Sequence, residues 1–130
     1  MKLIITRHGE TIENKAGILQ GHLPGQLSAE GIGQAKALGK RLQSEKIDVI
    51  YASDLQRVVD TTREITSYHP DTEVIFTKEL RERDLGEFQG QNKHEMTAME
   101  NLANTSLNIF EIDQNGNYEI LCYNSVKHLE

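Results

Sequence analysis

Three clusters of residues in this sequence have the types and spacing to handle a phosphate group. The first is Arg7-His8-Gly9-Glu10-Thr11, with Asn14 following. A neutral imidazole beside bound phosphate is a nucleophile that gives a phosphohistidine for water to cleave, and a neighbouring guanidinium grips phosphate oxygens as a two-pronged fork. Gly9 lets the chain turn sharply and approach a ligand. The second cluster is Ser53-Asp54-Leu55-Gln56-Arg57. A helix opening there brings Arg57 back toward the strand end, and a helix N-terminus itself favours an anion. The third is the charged run Leu80-Arg81-Glu82-Arg83-Asp84-Leu85-Gly86-Glu87-Phe88-Gln89-Gly90. A carboxyl near phosphate can protonate a leaving alcohol, because the anion raises its pKa and keeps the proton on it. Singly, each cluster reads as something ordinary: a surface histidine, a solvated helix arginine, a charged loop. The specificity lies in finding all three in order.

The elements that must position them follow from pattern. Lys2–Thr6 is a short apolar run and predicts a buried strand ending at Arg7. Residues 10–27 are polar, with Gly17, Gly21, Pro24 and Gly25, and predict a long loop with at most one helical turn. Ser28 suits a helix N-cap, and Ala35, Leu38 and Leu42 form a helical stripe to about Ser44. Asp48–Ala52 reads as a second strand, Ser53 or Asp54 as the cap of a second helix reaching Ser67, and His69-Pro70 as its end. Glu73–Thr77 is a third strand. Strand, helix, strand, helix, strand predicts an α/β fold: a parallel sheet with right-handed crossovers, and a ligand beyond the carboxyl ends of its strands. Gln91–Asn104 reads as a short helix. Ser106–Ile112 and Tyr118–Tyr123, joined by Asp113-Gln114-Asn115-Gly116-Asn117, predict an antiparallel hairpin at the C-terminus.

Bulk properties bound the partners. The chain has 130 residues, enough for one domain with a core, and its 37% hydrophobic and 26% charged fractions are those of a soluble globular protein. A net charge of -6 without basic blocks argues against nucleic-acid and anionic-membrane binding, so an anion site must be local. The single cysteine, Cys122, excludes an internal disulfide and reads as a packed thiol in a reducing cytosol. Leu3–Ile5 is too short for a signal peptide, and no stretch approaches transmembrane length. A cytoplasmic protein without membrane contact is therefore expected.

Together the three motifs resemble those of the histidine phosphatase (phosphoglycerate mutase-like) superfamily. Gly17, Gln20, Gly21 and the run Leu27-Ser28-Ala29-Glu30-Gly31-Ile32-Gly33-Gln34-Ala35 add to the likeness. It covers residues 1 to about 95 and resumes from about Asn104 to Leu129. The resemblance implies a three-layer α/β/α fold with a mostly parallel sheet, and a phosphomonoester hydrolase needing no cofactor and no metal. It implies that His8 is the nucleophile and Glu82 the general acid and base. Arg7, Arg57, Asn14, Gly9, Gln20 and Gly21 would hold the phosphate of a small-molecule ester.

One departure bears on activity. The family places a second histidine, in a His-Gly pair, at the end of a later strand beside the first. After Gln91 this chain has no such pair. The chain thus reads as a single domain over 1–130, internally shortened around 96–104. Losing one oxyanion donor of that kind costs about 2.7–4 kcal/mol of transition-state stabilisation. Losing an interior strand leaves a sheet edge that invites pairing with a second copy. His94, His22 and His128 are the candidates to replace the missing group, and each also reads as a surface residue. His69 reads as structural. A catalytically impaired phosphate-binding module and a mutase-type phosphoryl transferase are the alternatives, the second disfavoured by the short segment after Gly90.

Overall fold

The computed structural model describes residues 1–92 and 104–129. In chain order the elements are β1 (Lys2–Thr6), α1 (Ile12–Ala16), α2 (Ala29–Leu42), β2 (Val49–Ser53), α3 (Gln56–Thr66), β3 (Glu73–Thr77), β4 (Leu107–Ile112) and β5 (Tyr118–Ser125). Short 3-10 turns occupy Lys78–Leu80, Gly86–Phe88 and Lys127–Leu129. The α/β class and the alternation expected from sequence are present. The helix expected over Gln91–Asn104 and the shortened stretch around 96–104 fall almost wholly outside the described residues, as does His94.

Local chemistry explains most boundaries. Ser28 caps α2 by accepting the Gly31 N–H on its hydroxyl at 3.0 Å. Helix α3 departs from the expected cap: its N-cap is Leu55, with no side-chain hydrogen bond. Both polar candidates are occupied elsewhere. Ser53 Oγ accepts the Leu55 N–H, and the Asp54 carboxylate takes two hydrogen bonds from Arg81, each 2.5 Å. The hairpin turn is organised by Asp113, whose carboxylate accepts from the backbone of Asn115 and Asn117, while Gly116 takes the left-handed φ of 84° that the turn demands.

The sheet differs from the expected one, mostly parallel with a C-terminal antiparallel hairpin. It forms two ladders: β1-β4-β5, antiparallel throughout, and β2-β3, parallel. No ladder joins β1 to β2 among the described residues. The antiparallel hairpin is as expected, and it pairs with β1, Ile4 standing opposite Ile109. Both longer helices lie on one face. Leu38 and Leu42 of α2, Ile65 of α3, and Leu107 and Ile109 of β4 form the core, with Ile4, Ile50 and Cys122 packed against it. Because side chains alternate along a strand, Leu3 and Ile5 of β1 and Val49 and Tyr51 of β2 point to the opposite face. There they are exposed, so among the described residues the second helical layer of a three-layer fold does not cover them.

Helices α2 and α3 meet at a glycine. Gly39 lies against the Glu64 carbonyl so closely that an added Cβ would overlap it, whereas Gly33 on the same helix faces open space. Helix propensity favours alanine over glycine by about 1 kcal/mol at either position. Gly33→Ala is therefore expected to raise the melting temperature. Gly39→Ala is expected to lower it, because overpacking costs about 1–3 kcal/mol. Thermal melts of the two variants beside the parent check both signs.

Candidate active site

The end of β1 delivers His8 into a half-buried position, and backbone chemistry fixes its protonation. Nδ1 lies 2.7 Å from the Gly9 carbonyl oxygen. A carbonyl only accepts, so Nδ1 carries the hydrogen and Nε2 keeps its lone pair. Burial, with Arg57 and Arg7 nearby, lowers the His8 pKa to about 4 against the opposing Gly9 hydrogen bond. At neutral pH the ring is therefore an uncharged base with Nε2 as its nucleophilic atom. Gly9 is needed for more than turning: a Cβ there would meet the Gly31 backbone, so the loop seats directly on the first turn of α2. The Gly9 N–H donates to Thr61 Oγ1 of α3 at 3.0 Å, tying the loop to the second helix as well.

Arg57 is where sequence reading most underestimates the structure. Far from a solvated helix arginine, it is 2% exposed, and its guanidinium joins three segments. Nε donates to His8 Nε2 at 3.2 Å, Nη1 to the Leu23 carbonyl at 2.7 Å and Nη2 to the Gly21 carbonyl at 2.9 Å. Burial lowers its pKa, while the charges of Glu82 and Glu13 oppose that change. Arg7 is shifted down by burial too, against the pull of Glu82. Both guanidiniums thus feel the Glu82 carboxylate. Glu82 itself is exposed, one of its oxygens accepting its neighbour's Arg83 N–H.

The remaining expected residues divide. Asn14 Oδ1 accepts from the Thr11 N–H and from the Asn104 side chain, and Asn104 also donates to the His8 carbonyl at 3.1 Å. Asn14 is thereby linked to the His8 backbone. Gln20 is buried with its amide turned inward, donating to Thr11 Oγ1 and to Glu13 at 3.0 Å. Gly21 contributes its carbonyl to Arg57 at a positive φ of 51°. His22 Nε2 meets the Glu82 carbonyl at 2.7 Å, so it braces the loop that carries Glu82 and is not turned toward His8. His128 lies 3.3 Å from Thr105 Oγ1, and burial lowers its pKa. His69 bonds the Leu42 carbonyl, a structural role as expected, and Cys122 packs against the core with its thiol 3.4 Å from the Leu107 carbonyl. Sequence reading missed Thr61 and Asn104 as supports of the His8 loop. Their only signal is spatial, since neither belongs to a local pattern.

Among the described residues no group of three or more His, Cys, Asp or Glu side chains is placed to hold a metal ion, and no helix is long and apolar enough to cross a membrane. The arrangement suits an anion: two guanidiniums and a neutral imidazole at the carboxyl ends of β1 and β2, with a carboxylate on the loop after β3.

Comparison with known proteins agrees with this class of site. Residues 3–115 match the model of the histidine phosphatase superfamily, branch 1, and the chain belongs to that family. The phosphoglycerate mutase-like protein 4 of Arabidopsis thaliana is 40% identical over 90 residues, 68% of this chain and 39% of that protein. The metal-independent phosphoserine phosphatase of the same plant is 40% identical over 90 residues, again 68% of this chain and 38% of the relative. The chain thus spans less than half the length of these curated relatives. Its fold matches the solved phosphoserine phosphatase of Entamoeba histolytica with a TM-score of 0.86 at 20% identity, covering 99% of each chain.

The His8 environment makes a stability prediction. Its folded pKa, about 4, lies below the unfolded value of roughly 6.5. The unfolded chain therefore binds a proton first as pH falls. The stabilisation is complete above about pH 6.5 and is lost as pH drops toward 4, by about 3 kcal/mol in all. Chemical denaturation at pH 7 and pH 4.5 is expected to show a smaller loss of stability for His8→Asn than for the parent, by roughly 2 kcal/mol.

Proposed function

We propose that this chain hydrolyses small phosphate monoesters through a phosphohistidine on His8. The observation that carries the proposal is the pairing of a fixed Nδ1–H tautomer with a guanidinium on Nε2. The lone pair that must attack phosphorus faces the group that must hold the phosphoryl oxygens.

The steps follow from this geometry. An incoming phosphate dianion competes for the Arg57 Nε–H that His8 Nε2 now accepts, and so exposes the nucleophile while binding its target. Arg7 and Arg57 balance the charge on the phosphoryl oxygens, and Asn14, Gly9, Gln20 and Gly21 shape the loop around them. Nε2 forms a bond to phosphorus as the ester P–O bond breaks, and Glu82, acting in its protonated form, gives that proton to the departing oxygen. Water then attacks the phosphohistidine, Glu82 takes up one of its protons, and inorganic phosphate leaves with His8 neutral again. The phosphatase names of relatives support hydrolysis, and phosphoserine and phosphoglycerate are reasonable first substrates. One single-domain unit over 1–130 and a cytoplasmic location, in keeping with the lone thiol of Cys122, complete the reading.

A second reading has its own observation. Arg57 already satisfies three protein acceptors, and the sequence has no second His-Gly pair. A site so arranged can bind phosphate and turn it over poorly. The test is hydrolysis of p-nitrophenyl phosphate by the parent and by His8→Ala prepared in parallel. A rate lost in the variant supports the enzyme. Equal background rates, with vanadate still raising the parent's melting temperature, would assign a binding module instead.

The same reading includes self-association. Strands β1 and β2 each pair on one side only among the described residues, and apart from Lys2 neither carries a charge that would guard its edge. A dimer through such an edge is expected in sizing experiments at micromolar concentration. Lys replacing Ile5 is expected to shift it toward monomer, and a monomeric parent would remove this part of the reading.

A further inference from the structure

We infer that His22 is a positioning residue for the general acid, setting the reach of Glu82 by holding its main chain. This rests on the hydrolase reading above, and the geometry behind it is independent of that reading. His22 Nε2 lies 2.7 Å from the Glu82 carbonyl oxygen, so Nε2 carries the hydrogen and donates. Its Nδ1 lies 3.8 Å from a carboxylate oxygen of Asp84, two residues further along the same loop. The His22 N–H donates to the Gln89 side chain, and just upstream Leu19 exchanges backbone hydrogen bonds of 2.8 Å with Gln91 and Gly90.

The residues on either side of His22 point the other way. The carbonyls of Gly21 and Leu23 accept the two terminal nitrogens of Arg57. Three successive residues therefore join the phosphate-binding guanidinium to the backbone of the acid. The residue just before Glu82 is pinned separately, by Arg81 on Asp54. Glu82 is exposed and lies between two anchors, Arg81 and His22. Without the imidazole the loop keeps its bonds at Arg81 and at Gln89–Gln91, but the Glu82 main chain between them loses its own hydrogen bond, and a misplacement of about an ångström costs up to about a hundredfold in rate.

The signature of this role is dependence on the leaving group. A nitrophenolate departs without a proton, whereas an alkoxide requires one. In His22→Ala, kcat for an alkyl phosphate such as glycerol phosphate is expected to fall about tenfold, as part of the contribution of general acid catalysis. For p-nitrophenyl phosphate kcat should change less than about twofold, with KM and vanadate affinity retained, since phosphate binding rests on Arg7 and Arg57. His22→Gln carries an amide nitrogen at nearly the Nε2 position and is expected to restore the alkyl phosphate rate, whereas His22→Asn is not. Equal losses on both esters, or no rescue by Gln, would overturn the proposal.

Limited trypsin digestion decides the matter where turnover is at background. Cleavage after Arg83 is expected to quicken severalfold in His22→Ala and to return to the parent rate in His22→Gln. Unchanged cleavage would overturn the tether itself. Absent hydrolysis with quickened cleavage would uphold the tether and count only against the hydrolase reading.

Discussion

Everything at this site depends on one buried cation. Arg57 is 2% exposed, and a guanidinium cannot shed its charge to escape the cost of burial. It must be surrounded by acceptors, and those acceptors come from the end of β1 and from the loop before α2. A fork with fixed donor directions holds its partners at fixed positions. The His8 ring, the Gly21 and Leu23 carbonyls and the first turn of α3 therefore form one unit. Glu82 and Glu13 supply negative charge that offsets part of the burial cost. Replacing either partner class would leave a buried charge without compensation, the most damaging kind of loss inside a protein.

The same unit explains how a divided sheet can support a site. β1 and β2 are not joined by a ladder among the described residues, so the sheet does not fix their relative positions. The helices do. Leu38 and Leu42 of α2 and Ile65 of α3 pack under Ile4 of β1 and Ile50 of β2, making a common floor. Above that floor, Gly9 rests on Gly31 of α2 and donates to Thr61 of α3. His8 is positioned by helix contacts and by the guanidinium, where an unbroken sheet would have done so through backbone pairing. Two small residues, Gly9 and Gly31, make this possible, because close contact between the loop and the helix backbone leaves no room for a Cβ.

How much of this was legible beforehand differs by residue. Lys2–Thr6, Glu73–Thr77 and the Asp113–Asn117 turn were readable because their signals are local: apolar runs bounded by breakers, and a turn whose Asn-Gly supplies its own geometry. The cap of α3 was misread because Ser53 and Asp54 both suit the position, and only the folded chain shows Arg81 claiming the Asp54 carboxylate. His22 reads from sequence as a surface residue and one of three candidates to replace the missing histidine, yet it faces the Glu82 backbone. Asn104 and Thr61 carried no signal, since their partners lie 96 and 52 residues away.

What can be read along the chain is the expected chemistry and, through the order of the motifs at strand ends, the family. That information resides in residue type and spacing, which side-chain reactivity and helix and strand periods translate directly. The state in which those residues exist is set by the fold. The neutrality of His8 and the three protein acceptors held by Arg57 come from contacts between distant segments. Burial and hydrogen bonding at a point in space depend on everything that converges there, and no local stretch of sequence contains that sum.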